Sequence, residues 1–192
     1  MSQAQMTQGY EEGYQIPLEE ALDLAKSHHM EGNFLIAERT YRDILAAAPD
    51  HYPTTHFLGV LLYQTTILDE ALIYLLKATE SDPDDKQCWN NLGATYTDLQ
   101  EFEQALHCYE KSLSVDPHFI EALNNKALTL WLLGKTEESE KIARKSLEIA
   151  PDNMEGTMAL GIARSSQGYY EDAIEIWTNL ADKHPDLDKV WI

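Results

Sequence analysis

Residues 89–117 read WNNLGATYTDLQEFEQALHCYEKSLSVDP, and two helices are written in them. Trp89, Leu92, Gly93 and Tyr96 recur at helical spacing, and so do Phe102, Ala105, Leu106 and Tyr109; each run therefore carries one apolar face. Pro117 closes the second run, because proline lacks the amide hydrogen that a continuing helix needs.

Pro117 is one of a series: Pro49, Pro83, Pro117, Pro151 and Pro185 stand 34 residues apart. That period divides the chain without a gap into 18–51, 52–85, 86–119, 120–153 and 154–187. Counted from the start of each unit, a small residue recurs at place eight (Ala25, Gly59, Gly93, Ala127, Gly161) and again at place twenty (Ala37, Ala71, Ala105, Ser139, Ala173). Small residues at both places let the two helices of a unit approach closely, while bulky neighbours fill the space between units. Place fifteen is glycine in three units, Gly32, Gly134 and Gly168, as a left-handed helix end favours; Thr66 and Gln100 stand there in the others. The aspartates after proline, Asp50, Asp84, Asp152 and Asp186, are expected to cap the following helices. Lys126 and Ala143 replace the bulky residues at places seven and twenty-four, which weakens the packing argument in the fourth unit.

Trp89, Leu92, Gly93, Tyr96, Ala105, Tyr109 and Pro117 match W-x2-L-G-x2-Y, A-x3-F/Y and P, and on these residues the chain resembles the tetratricopeptide repeat family. The resemblance implies an all-α, right-handed superhelical solenoid of five helix-turn-helix repeats, with the first helix of each repeat lining a concave groove. Residues 1–17 fall outside it and read as a disordered lead or a partial cap. Residues 188–192 restart the pattern, with Trp191 at place four, as the beginning of a sixth repeat or a truncated capping helix.

By the same resemblance, places two, five, six, nine, twelve and thirteen face the groove. Repeat 1 then offers Glu19, Leu22, Asp23, Lys26, His29 and Met30, and repeat 2 offers Pro53, His56, Phe57, Val60, Tyr63 and Gln64. Asn90 and Asn91 recur as Asn124 and Asn125, and an amide ladder of that kind can hold an extended peptide by its backbone. Asn91 and Asn125 are similar in place to groove asparagines in the repeat arm of O-linked N-acetylglucosamine transferase; alternatively, these amides bond neighbouring helices. Phe57, Tyr63, Leu128, Trp131, Leu132, Met158 and Ile162 form the apolar set of the expected wall, with Trp131 as its anchor unless it is buried against an adjacent helix. The basic clamp by which chaperone-binding repeats hold a C-terminal carboxylate has no counterpart, since Leu22, His56 and Glu121 stand at its places.

The 14 basic and 33 acidic side chains give a formal charge of −19, which repels nucleic acid and anionic membranes and favours a basic or amphipathic protein or peptide. No catalytic constellation, metal or cofactor is expected: there is no glycine-rich phosphate loop, the histidine pairs 28/29 and 51/56 lack the spacing that aims two imidazoles at one ion, and Cys88 and Cys108 read as buried thiols. Two function classes remain, a stand-alone binding scaffold and the docking module of a larger enzyme such as a glycosyltransferase or sulfotransferase. Self-association through the last repeat is a third expectation. The start of the chain has neither the basic residues nor the apolar run of a secretory signal, so the expected address is cytoplasmic.

Overall fold

The helices keep the sequence period. In the computed structural model, which describes residues 5–7 and 15–184, the first helices of the hairpins are α1 (Leu18–Met30), α3 (Tyr52–Gln64), α5 (Lys86–Asp98), α7 (Ile120–Leu132) and α9 (Met154–Ser166). The second helices are α2 (Phe34–Ala47), α4 (Leu68–Ser81), α6 (Phe102–Val115), α8 (Thr136–Ile149) and α10 (Tyr170–Lys183). Residues 185–192, with Pro185, Asp186 and the restart at 188–192, lie outside the described residues. Before α1, β1 (Gln5–Thr7) pairs antiparallel with β2 (Gln15–Pro17), a short strand pair that lies against the first hairpin, so the paired residues are ordered where the sequence offered a disordered lead or a partial cap. Ile16 of β2 is buried in the core of the first hairpins.

All five hairpin turns use one device. In each, the amide of place fifteen donates to the carbonyl three residues back, and the next amide donates to the carbonyl five back; examples are Thr66 to Tyr63 (3.0 Å) and Ile67 to Leu62 (2.8 Å). This pair of bonds satisfies carbonyls that a helix end leaves open, and it requires a left-handed residue at place fifteen. Gly32, Gly134 and Gly168 adopt it at φ of 78° to 86°, and Thr66 and Gln100 adopt it too, each at 62°.

The capping expectation needs correction. Helices α3, α5 and α9 begin one residue later than Asp50, Asp84 and Asp152 would cap, so their N-terminal cap positions fall on His51, Asp85 and Asn153. Asp85 accepts from the amides of Gln87 (2.7 Å) and Cys88 (3.1 Å), and Asn153 accepts from Gly156 (2.6 Å). Asp50 and Asp152 instead pair with Lys77 and Lys183.

The chain divides between Thr95 and Tyr96 into two compact units. In the first, Ala21, Ala25, Ala37, Tyr41, Ile44, Leu58, Leu61, Leu62 and Ala71 form one buried cluster. In the second, Ala105, Tyr109, Phe119 and Ala122 form one cluster, and Ala127, Ala143, Ala159 and Leu160 form another. Closeness at place eight is visible at Gly59, where an added Cβ would stand 2.8 Å from Leu75 Cγ. Lys126 keeps its stem half-buried and sends its ammonium to Glu110 (3.0 Å), so the missing bulk at place seven is supplied by an aliphatic chain with a solvated head.

Candidate functional site

In the first unit, α1, α2 and α3 enclose a cleft of about 680 Å³ lined by Lys26, His29, Met30, Gly32, Phe34, Tyr41, Phe57, Val60 and Gln64. Six of these occupy the groove places read from the sequence. Phe34 and Tyr41 come from the second helix, and place counting on first helices missed them; an aromatic pair following the Gly32 turn was the available signal.

Phe57 is the organising ring. It stacks nearly parallel to Tyr41 (centroids 6.3 Å, 10° between planes) and to His56 (5.8 Å, 13°). Lys26 Nζ lies 5.7 Å from its centroid, steadied by Asp23 at 2.6 Å. His29 stands edge-on to Phe34 and Tyr41. With its proton on Nε2, His29 donates to Gln64 Oε1 (2.8 Å) and accepts at Nδ1 from the Tyr41 hydroxyl (3.3 Å), so the phenol keeps a partner although burial pushes its pKa up. Met30 in the lining is exposed, and so are Leu35 and Ile36 on α2. The cleft is lined mainly by apolar and aromatic side chains with a few fixed polar groups, and its lining holds no carboxylate.

A second cluster supports this wall from behind. Asp85 accepts from the Tyr52 hydroxyl and lies 3.4 Å from His56 Nδ1, while the Asn91 amide meets His56 Nε2 at 3.0 Å. The bonds from His56, Tyr52 and the Cys88 amide hold the Asp85 carboxyl well below the usual range against the opposing effect of burial. Asn91 also receives Gln87 at its oxygen (3.3 Å), so much of its amide is engaged within the protein.

Two of the predicted amides are not on the wall. Asn90 and Asn124 are buried. Asn124 donates to Asn153 Oδ1 (2.8 Å) and accepts from Ser146 Oγ (2.6 Å), tying α7 to α8 and to the cap of α9. At place five Leu22, His56, Asn90 and Asn124 all point inward rather than into solvent, and Asn91 and Asn125 at place six are half-buried. Leu22 is likewise in the core. Tyr63 is half-buried and packs on the first core cluster. In the second unit Leu128 and Leu132 are exposed, and Met158 and Ile162 are half-buried. Trp131 is half-buried too, and its indole donates to Ser166 on α9 (2.7 Å).

Among the described residues no group of three His, Cys, Asp or Glu could hold a metal ion, and no helix is long and apolar enough to cross a membrane. Cys88 and Cys108 are buried and unbridged, and burial pushes the Cys108 thiol up to about 12, away from nucleophilic use.

Helix hairpins repeating every 34 residues, closed by left-handed turns and carrying small residues at their contacts, define a stacked helical-repeat protein. Tetratricopeptide repeat models match residues 22–86, 87–119 and 120–153, and the chain belongs to that family. It is 29% identical over 104 residues to the peroxisomal targeting signal receptor of Eremothecium gossypii, covering 54% of this chain and 18% of the receptor. It is 25% identical over 87 residues to an N-terminal acetyltransferase A complex subunit-like protein of Schizosaccharomyces pombe, covering 45% and 12%. The chain thus spans less than a fifth of the length of either relative. MamA of Desulfovibrio magneticus superposes with a TM-score of 0.77 at 14% identity, over 86% of this chain and 93% of that one. TTC0263, a tetratricopeptide protein of Thermus thermophilus, gives 0.74 at 20%, over 89% and 94%. At these identities the likeness establishes the fold, an all-α repeat solenoid apart from its short strand pair.

Proposed function

We propose that this chain is a non-catalytic scaffold that binds a protein or peptide segment on its first-helix wall, with the cleft between α1, α2 and α3 taking one apolar side chain of the guest. The observation that carries this reading is the convergence of Lys26, His29, Met30, Phe57, Val60 and Gln64, all at groove places, on a single cleft of about 680 Å³. That size lies within the range of ligand clefts, roughly 300–1,000 Å³. The relatives agree in kind: a targeting-signal receptor and a subunit-like protein of an enzyme complex are both named for association with other proteins. The formal charge of −19 favours a guest that is basic or amphipathic outside the anchored side chain, and it disfavours nucleic acid and anionic membranes. In this reading Asn91 supplies a secondary contact in the first unit, and Asn125 and Trp131 are candidate contacts of the second unit taken by itself.

The test is a display library of basic and amphipathic peptides panned against the intact protein and against Met30→Glu and Val60→Glu, with helical circular dichroism as the folding control. Peptides that share an apolar anchor and lose binding to both variants support the cleft. Capture that survives both variants but is lost in Trp131→Ala moves the site to the second unit and refutes the cleft.

A further inference from the structure

Place twenty-four is a stacking position. Tyr41, Leu75, Tyr109 and Ala143 occupy it in the first four hairpins with 0%, 0%, 1% and 0% exposure, whereas Trp177 in the fifth is 38% exposed. Two further residues on the same face of α10, Tyr170 and Ile174, are 66% and 62% exposed. Tyr170, Ile174 and Trp177 follow one another at i, i+4 and i+7 and therefore form one apolar stripe. It is the face with which α2 meets α3, through Tyr41 and Phe57, and α8 meets α9, through Glu140 with Arg164 and Gln167, and on α10 it is exposed.

We infer that this stripe is a self-association surface, and that its occupant is the same stripe on a second copy of the chain. Three observations select that occupant. The face continues an interface that the protein already builds between α2 and α3, between α6 and α7 and between α8 and α9, so its shape suits a helix of its own kind. The first hairpin is not free to receive it head to tail, because β1 and β2 lie against α1 and β1 against α2. The stripe is also self-complementary. With a two-fold axis at Ile174, antiparallel helices place Trp177 against Tyr170 of the partner subunit and Tyr170 against Trp177 of the partner subunit, an isologous contact that closes as a dimer. Glu171 and Glu175 flank the stripe and bring like charges together across the axis. The dimer consequently forms more readily as salt screens that repulsion, the reverse of the salt response expected for a basic guest on the first-helix wall.

Sedimentation equilibrium of the full chain at low and high salt tests this. The expected result is a mass that doubles with concentration, with tighter doubling at high salt. The variant Tyr170→Glu/Ile174→Glu, altered only at exposed side chains, should stay monomeric with its helical signal and melting temperature retained. A wild-type monomer at high salt overturns the inference, whatever covers the stripe. So does a mass that grows past the dimer, which would indicate open-ended stacking onto the exposed Leu35 and Ile36 of α2. A dimer that the double variant leaves intact overturns it as well. Peptide capture by the cleft does not depend on any of these outcomes.

Discussion

Asn124 donates from Nδ2 to the side-chain oxygen of Asn153 at 2.8 Å, and that same oxygen caps α9 by accepting from the Gly156 amide. One buried amide therefore holds the start of the next hairpin in place. Removing it leaves the Ser146 hydroxyl without its acceptor and frees the cap. Asn124→Ala should destabilise the second unit by about 1–3 kcal/mol, the cost of leaving buried polar groups unsatisfied. Asn125→Ala, one residue on and half-buried, should cost less. Urea unfolding of the two variants checks the order; equal losses would contradict the division of roles between places five and six.

Thr66 and Gln100 hold the left-handed conformation that glycine supplies in the other three turns. A side chain there costs roughly 1–2 kcal/mol, and part of that is returned when glycine raises the entropy of the unfolded chain. Thr66→Gly should stabilise by about 0.5–1 kcal/mol, with Gln100→Gly gaining less because its side chain is not β-branched. Thermal melts read both changes. A fall in melting temperature for Thr66→Gly would show that the threonine earns its place by another contact.

Asp85 makes stability depend on acid. Its folded-state pKa lies below the unfolded value, chiefly through the bond from His56, so the stabilisation is complete above the ordinary aspartate range and is lost as pH falls toward the depressed value. Wild-type unfolding free energy should drop between about pH 5 and about pH 2 more steeply than that of Asp85→Asn. Parallel slopes in the two proteins would remove Asp85 from the acid response.

Methyl groups added at place eight should be tolerated unequally. A Cβ at Gly59 would press on Leu75, which is fully buried and has nowhere to move. At Gly161 it would collide with the indole of Trp177, which is partly exposed and can swing outward. Gly59→Ala is expected to cost about 1–3 kcal/mol, as overpacking a filled core does, and Gly161→Ala less. Calorimetry of the two variants settles the ranking.

Much of the fold was legible from spacing. The prolines at 34-residue intervals and the small residues at places eight and twenty located the hairpins, and Thr66 and Gln100 stood out as the turns without glycine. The caps were misplaced by one residue because Asp50, Asp84 and Asp152 follow the stop signal so closely; the chain needs one more extended residue before the helix can begin, which puts the cap on Asp85 or Asn153. The candidate site was legible only in part. Lys26, His29, Met30, Phe57, Val60 and Gln64 stand at groove places by counting along the first helices, while Phe34 and Tyr41 do not, since whether a second-helix aromatic reaches the cleft depends on how two hairpins meet.

Local rules, a helix period and the residues that end helices, sufficed to determine the repeated hairpin, because those rules act between residues a few positions apart. Which side of the hairpin each polar residue faces was decided by tertiary packing. Asn124 and Asn125 are adjacent and chemically identical, yet one is locked between Ser146 and Asn153 and the other is half-exposed. A turn of about 100° per residue separates them on the helix, and only the position of the neighbouring helices says which of the two directions leads inward.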